Sequence, residues 1–191
     1  MSQRDIENHE VTKADQFETR KEKQFITIVR YLGTDDIVVV PDNINGVPVN
    51  QIEPLAFTTS DVRGVLLPTT ITALERTFMD APKLELVVCK GVKNIGYAAF
   101  AHCKQLKNVI TSDSLIEIGE SAFTECTSLG ELQFNGNVII DESIISTVFS
   151  GTSNSFWLNT RNNSPLYQLC SEAGIPTSAN AAKGKIVEST Q

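Results

Sequence analysis

The sequence lacks the features that mark several special classes of protein. No run of about 18 apolar residues occurs, so no segment is predicted to span a membrane as a helix. Lys and Arg total 16 against 23 Asp and Glu, a net charge of −7. This acidic balance argues against a general nucleic-acid binder, because phosphate contacts need clustered cations. The N-terminal stretch to Gln24 lacks the apolar core of a signal peptide. We expect a cytoplasmic protein if the sequence is complete, and a secreted or cell-surface protein if an export signal has been removed.

Patterns of catalytic and metal-binding residues are also scarce. The sequence has two histidines and 11 glycines, which are scattered singly, so no phosphate-binding loop is present. His102 precedes Cys103, but adjacent side chains diverge, which argues against a thiolate–imidazole pair. A zinc site needs four converging ligands, usually in close pairs, and no C-x-x-C pair occurs. We therefore predict no catalytic residue, no metal and no cofactor. The four cysteines are Cys89, Cys103, Cys126 and Cys170.

What the sequence does contain is a repeat with a period of 21 to 23 residues. Its markers are a phenylalanine, a small residue just before it, a small residue three positions after it, and aliphatic residues on both sides. The phenylalanines are Phe57, Phe78, Phe100 and Phe123, the later small residues are Ser60, Ala81, Cys103 and Cys126, and two of the aliphatic series are Ile52, Leu74, Ile95, Ile118 and Val65, Val87, Val109, Leu132. Such a period predicts a solenoid, in which coils too small to enclose their own apolar side chains stack and share one core.

Each coil is predicted to contain a short strand and a tight turn. Residues 64–67, 86–89, 108–111 and 131–134 suit strands stacked in parallel at about 4.8 Å. The Gly-x-x-Ala-Phe stretches, Gly96 to Phe100 and Gly119 to Phe123, are too short for full helices, so we expect one helical or 3₁₀ turn in each. The predicted fold class is therefore an α/β repeat.

Two of the repeats carry a family resemblance. The segments IGYAAFAHCKQLKNV (95–109) and IGESAFTECTSLGEL (118–132) resemble the BspA-type leucine-rich repeat of bacterial proteins. Residues 26–57 resemble the entry coil of that family, and residues 157–176 resemble its closing element. The resemblance implies a leucine-rich-repeat solenoid that is capped at both ends. It also implies a non-enzymatic recognition module similar to surface adhesins.

The two ends of the predicted solenoid need covering, since an open coil exposes core and strand edges. At the front, residues 16–20 and 25–31 can pair as a hairpin. At the rear, Ser164 can cap a helix that has Pro165 in its first position and ends at Gly174. We therefore divide the chain into a polar N-terminal tail with the start of the capping hairpin (1–24), the repeat domain with its caps (25–177), and a polar C-terminal tail (178–191).

The outward positions of the predicted strands hold the candidate site. The apolar stripe, which consists of Leu66, Val88 and Ile110, is unusual for a solvated sheet face. The charged row beside it, which consists of Arg63, Glu85 and Lys107, alternates in sign as cross-strand ion pairs do. The stripe predicts either a binding surface or a face covered by a terminal segment or a second copy. The predicted partner-binding residues are Leu66, Val88, Ile110, Gln133, Arg63, Glu85 and Lys107.

The resulting hypothesis is a non-enzymatic protein-interaction or recognition scaffold. This scaffold is expected to bind a protein or cell-surface ligand through the sheet face of the solenoid. No binding of nucleic acid and no insertion into a membrane are expected, and the hypothesis allows a homo-oligomer. Two alternatives stay open: an enzyme or effector that uses the tails, and a purely structural segment of a larger assembly.

Overall fold

A computed structural model describes residues 1–134, 137–160 and 164–177. In it the chain forms a parallel β-solenoid of about six turns with little helix. The predicted solenoid is therefore confirmed. Its helices are α1 (Gln3–Glu7), α2 (Ile145–Val148) and α3 (Pro165–Glu172), and its strands are β1 (Phe17–Lys21), β2 (Ile26–Tyr31), β3 (Ile37–Val39), β4 (Asn43–Ile44), β5 (Val47–Ile52), β6 (Gly64–Leu66), β7 (Ala73–Leu74), β8 (Leu86–Val88), β9 (Asn94–Ile95), β10 (Asn108–Ile110), β11 (Glu117–Ile118), β12 (Glu131–Gln133) and β13 (Trp157–Asn159).

The coils stack through two parallel sheets on different sides of the core. The main sheet has the strand order β10-β8-β6-β3, and the parallel pair β12–β13 follows β10 along the stack. The second sheet has the order β11-β9-β7. Side chains alternate between the two faces of a strand. The middle residues of the main strands therefore point into the core and are buried: Val38, Val65, Val87 and Val109.

A column of aromatic rings runs along the core. The four phenylalanines of the repeat stack with centroid separations of 5.0, 5.3 and 5.4 Å. The column also extends beyond the repeat in both directions, through Tyr31 at one end and Phe149 and Phe156 at the other. Tyr31 and Phe149 each lie 26 residues from the nearest phenylalanine of the repeat, outside its period. The sequence pattern therefore did not include them.

The Gly-x-x-Ala-Phe stretches form successive turns, so the expected helical or 3₁₀ turn is not what the structure has there. In Gly96–Phe100 the φ angle of Ala98 is 49°, which interrupts a right-handed coil. Alternate backbone amides then bond to the next coil, whereas the amides between them close turns within their own coil, as the Ala99 amide does to the Gly96 carbonyl at 3.3 Å. The Ala98 amide donates to the Glu120 carbonyl at 3.0 Å, and the Phe100 amide donates to the Ala122 carbonyl at 2.9 Å.

Distinct elements lie at the two ends of the stack. At the N-terminal end, β1 and β2 form an antiparallel hairpin, and β2 also pairs in parallel with β5. At the other end, Ser164 accepts a hydrogen bond from the Tyr167 amide at 3.1 Å, Pro165 opens α3, and Gly174 follows the helix with a φ of 73°. The predicted C-terminal tail, 178–191, lies outside the described residues.

Candidate functional site

The outer face of the main sheet brings the apolar stripe together as the sequence predicted. The strand register places Leu66 beside Val88, and Val88 beside Ile110. Gln133 lies further along the stack in β12, opposite Asn159 of β13. The stripe and its neighbours form an apolar cluster that is separate from the solenoid core.

The stripe is largely covered in the structure. Val88 is fully buried, and Leu66 and Ile110 are half-buried. The cover is α1, whose Ile6 is itself fully buried against Leu86 and Val88. Of the alternatives that the sequence left open, the structure therefore has cover by a terminal segment. The role of these residues in binding a partner stays a prediction.

The segment that contains α1 was predicted from the sequence to be part of a polar tail. One signal was present, because Ser2 and Asp5 form a capping box ahead of Ile6. The Ser2 amide donates to the Asp5 carboxylate at 2.7 Å, and the Asp5 amide donates to the Ser2 hydroxyl at 3.3 Å. These bonds lower the pKa of Asp5. A helix of five residues with one buried side chain is too short to show a helical period.

Gly64 in β6 provides the seat for α1. A Cβ atom at this position would lie 2.7 Å from the Cδ1 atom of Ile6 and would also overlap the sulfur of Met1. A larger residue would therefore force the side chains of Ile6 and Met1 to shift. The absence of a side chain at Gly64 allows Ile6 to reach the floor of the apolar cluster.

Polar contacts hold α1 and the segment after it. The Lys90 ammonium lies 2.7 Å from the Glu7 carboxylate. The pKa of Glu7 is lowered, first because the Gln3 side chain donates a hydrogen bond to it and second because of Lys90. Thr12 is buried and exchanges two bonds with β3: its amide donates to the Val39 carbonyl, and the Val39 amide donates to its hydroxyl, each at 3.0 Å. Thr12 thus anchors the chain independently of α1.

The charged row forms the predicted cross-strand ion pairs. The Glu85 carboxylate accepts from Arg63 and from Lys107, each at 2.7 Å. Arg63 also lies 3.7 Å from the Asp36 carboxylate. Both partners of Glu85 stabilise its charged form and lower its pKa, Lys107 more than Arg63. The Glu85 side chain is only 12% exposed, whereas that of Lys107 is 61% exposed and presents a cation at one end of the row.

The rest of the outer face is polar and more open. Asn108 and Gln133 are exposed, and the half-buried Glu131 accepts a hydrogen bond from the Asn159 side chain at 3.1 Å. A shallow hollow lies between this region and α1. Its lining includes Gln3, Asn108, Thr111, Glu131 and Gln133.

The thiols are structural. All four cysteines are buried and free. The Cys103 thiol donates to the Phe78 carbonyl at 2.8 Å, and the Cys126 thiol donates to the Phe100 carbonyl at 3.1 Å. Burial raises the pKa of Cys126 to about 12 and that of Cys103 well above its ordinary value. Such thiols are poor nucleophiles, because the thiolate is the reactive form.

Within the part of the chain that the structure describes, no three His, Cys, Asp or Glu side chains converge to hold a metal ion. No helix there has both the length and the apolar character needed to cross a membrane.

The repeat decides the family. The profile of the BspA type leucine rich repeat region matches residues 50–164 in six copies, which is more than half of the chain. The chain belongs to the BspA-type leucine-rich repeat family. The resemblance drawn from two repeats is thereby confirmed, and proteins of this repeat family are generally non-enzymatic interaction scaffolds.

Solved structures of bacterial leucine-rich repeat proteins share the fold. A leucine-rich repeat protein of T. pallidum is 27% identical with a TM-score of 0.68, over 78% of this chain and 71% of that one. A leucine-rich cell surface protein of Faecalibacterium prausnitzii is 20% identical with a TM-score of 0.57, over 82% of this chain but 46% of that one. No curated protein matches the sequence.

Proposed function

We propose that this BspA-type repeat chain is a non-enzymatic scaffold that binds a protein partner through the outer face of its main sheet. The observation that carries the proposal is the second apolar cluster, which lies outside the solenoid core. The core is already continuous without Leu66, Val88 and Ile110. Folding of the coils therefore does not require aliphatic residues at these outward positions, which instead form an apolar docking face that α1 occupies within the chain.

The other predicted residues define the edges of the surface. Arg63, Glu85 and Lys107 run beside the stripe, with the Lys107 ammonium largely exposed. Charges at the rim of an interface set the orientation and association rate of a partner more than its affinity. Gln133 and Asn108 continue the same face with polar groups. The combination suits a partner with an apolar centre and an acidic group near Lys107.

Adhesin-like recognition at a cell surface is the finer form of this proposal. It rests on the family resemblance, and the Faecalibacterium relative is described as a cell surface protein. The alternatives make different predictions. Turnover of a small molecule or glycan would favour an enzyme or effector, and incorporation into a larger assembly without a discrete ligand would favour a structural segment.

The test is affinity capture from the native source, followed by mass spectrometry, with a matched pair of variants. Asn108→Arg places a bulky cation on the outer face, and Asn94→Arg places one at an exposed first residue of β9 in the second sheet. We expect a discrete protein that is captured by the wild type and by Asn94→Arg but lost with Asn108→Arg. Capture that is equal for all three chains would contradict binding through this face.

A further inference from the structure

We propose that the apolar stripe is a socket for a short amphipathic helix, that α1 occupies it within the same chain, and that a protein partner binds by replacing α1 with a helix of like chemistry. This inference rests on the proposed function and specifies its ligand. The socket is formed by Ile37, Gly64, Leu66, Leu86, Val88 and Ile110, with Lys90 at its rim.

The fit of α1 resembles that of a bound peptide. Ile6 is the one buried residue of the helix and inserts as a knob over Gly64 and against Val88. Arg4 and Asp5 are exposed. One face of a helix in a hydrophobic groove is a recurrent mode of peptide recognition, in which a few apolar anchors are read. The bound α1 therefore indicates which kind of ligand the sheet face accepts.

The contacts of α1 allow it to leave without unfolding the coils. The helix has five residues, far fewer than the roughly 12–15 that an isolated helix needs in water, so its docked form depends on the socket. Residues 8–11 after it are exposed, and Thr12 is then fixed to β3. Release of Ile6 and of the Glu7–Lys90 ion pair therefore opens the socket, while the backbone pairing of Thr12 with Val39 remains.

The socket also specifies the chemistry of the replacing helix. Gly64 leaves room for a branched aliphatic side chain to reach the sheet, as Ile6 does. Lys90 pairs with the carboxylate of Glu7, the residue directly after Ile6. A partner helix should therefore offer an aliphatic knob followed directly by an acidic residue. The competing occupant is α1 of a second copy of the chain, which would make the same contacts.

The experiment uses the full chain and a fluorescent peptide of residues 1–13, with binding followed by anisotropy. Ile6→Asp should release α1 but leave the socket intact. If the wild-type socket is free about a tenth of the time, this variant should bind the peptide about tenfold more tightly than the wild type does. A peptide that itself carries Ile6→Asp should not bind.

Two glycine changes test the seat in the Ile6→Asp background. Gly64→Ala should weaken peptide binding, because the Ile6 side chain has to shift to make room for the added Cβ. Gly130→Ala is the matched control, since a Cβ there meets nothing within 4 Å, and it should leave binding unchanged. A charge reversal adds a second readout: Lys90→Glu should weaken binding of the wild-type peptide and restore it for a peptide with Glu7→Lys.

A measurement on the wild type keeps the proposal falsifiable if Ile6→Asp fails to fold. The Asn8 and His9 amides, which donate to carbonyls of α1, should exchange with deuterium at least about tenfold faster than the central Val87 amide. Exchange of all three at one rate would make α1 an integral part of the fold and overturn the proposal.

A folded Ile6→Asp chain that does not bind the peptide would also overturn the proposal, as would a wild-type dimer that exchanges α1. The peptide assay reports on the socket and the capture assay on the polar part of the face, so the two proposals fail separately.

Discussion

The rings of Phe78 and Phe100 lie 5.3 Å apart, centre to centre, and only 4° from parallel. Each ring belongs to a different coil and is fully buried. Phe100 has a second neighbour, Phe123, at 5.4 Å on its other side. The stability of each coil therefore depends on the coils beside it.

Removal of the central ring should destabilise the whole stack. Phe100→Ala deletes a buried ring with contacts on both sides, which should lower the free energy of unfolding by about 3–5 kcal/mol. Nearest-neighbour coupling should spread the loss to the flanking coils. Denaturant melts measure this, with Tyr97→Ala, a change at a residue that is 50% exposed, as the control. A loss below about 1 kcal/mol would contradict the role given to the ring.

The thiols should be free but unreactive in the native protein. Burial raises the pKa of Cys89 and Cys170 to about 12 as well, so little thiolate exists near pH 8. A thiol reagent should therefore react slowly with the folded chain. After denaturation without reductant, it should count four thiols. A count of two would reveal a disulfide and contradict this prediction.

The charged row should make the free energy of unfolding depend on pH in the acidic range. The folded pKa of Glu85 lies below its ordinary 4.5, so the carboxylate contributes stability above that pH and loses it as the pH falls through the folded value. Glu85→Gln should lower the free energy of unfolding by about 1 kcal/mol at pH 7. Melts across pH should show this difference shrinking below pH 4.5. Glu117→Gln, at an exposed position of β11, is the control, and an equal effect there would argue against a specific role for Glu85.

The two faces of β8 should respond differently to one substitution. Val87→Thr buries a hydroxyl in the core and should cost about 1–3 kcal/mol. Val88→Thr places the hydroxyl beneath α1, where water reaches it when the helix is released. The free energy of unfolding of the coils should therefore fall by less than about 1 kcal/mol. Hydrogen exchange should instead accelerate at Asn8 and His9. An equal loss of global stability in both variants would place Val88 in the main core.

The triple change Leu66→Thr, Val88→Thr and Ile110→Thr extends the same test to binding. Because these three residues lie outside the core cluster, we expect melting close to that of the wild type. Association with a captured partner should weaken, because the apolar surface is lost. Unchanged association would show that the stripe takes no part in binding.

The repeat made the solenoid predictable from the sequence. Every coil makes the same local demands, so Phe57, Phe78, Phe100 and Phe123 recur at nearly constant spacing and all are buried. The left-handed residues inside the turns were not predictable, because Ala98 carries no mark of a positive φ. That conformation is stabilised by hydrogen bonds to the adjacent coil.

The candidate site likewise has one part that was predictable from the sequence and one part that was not. The shared outward face of Leu66, Val88 and Ile110 was predictable, because the strand alternation and the repeat period are both local properties of the sequence. The segment that covers them was not, because it depends on how distant parts of the chain pack together. Ile6 and Gly64 are 58 positions apart, and neither belongs to a pattern that points to the other. Their contact depends on one side chain being present and another absent where the folded chain brings two distant segments together.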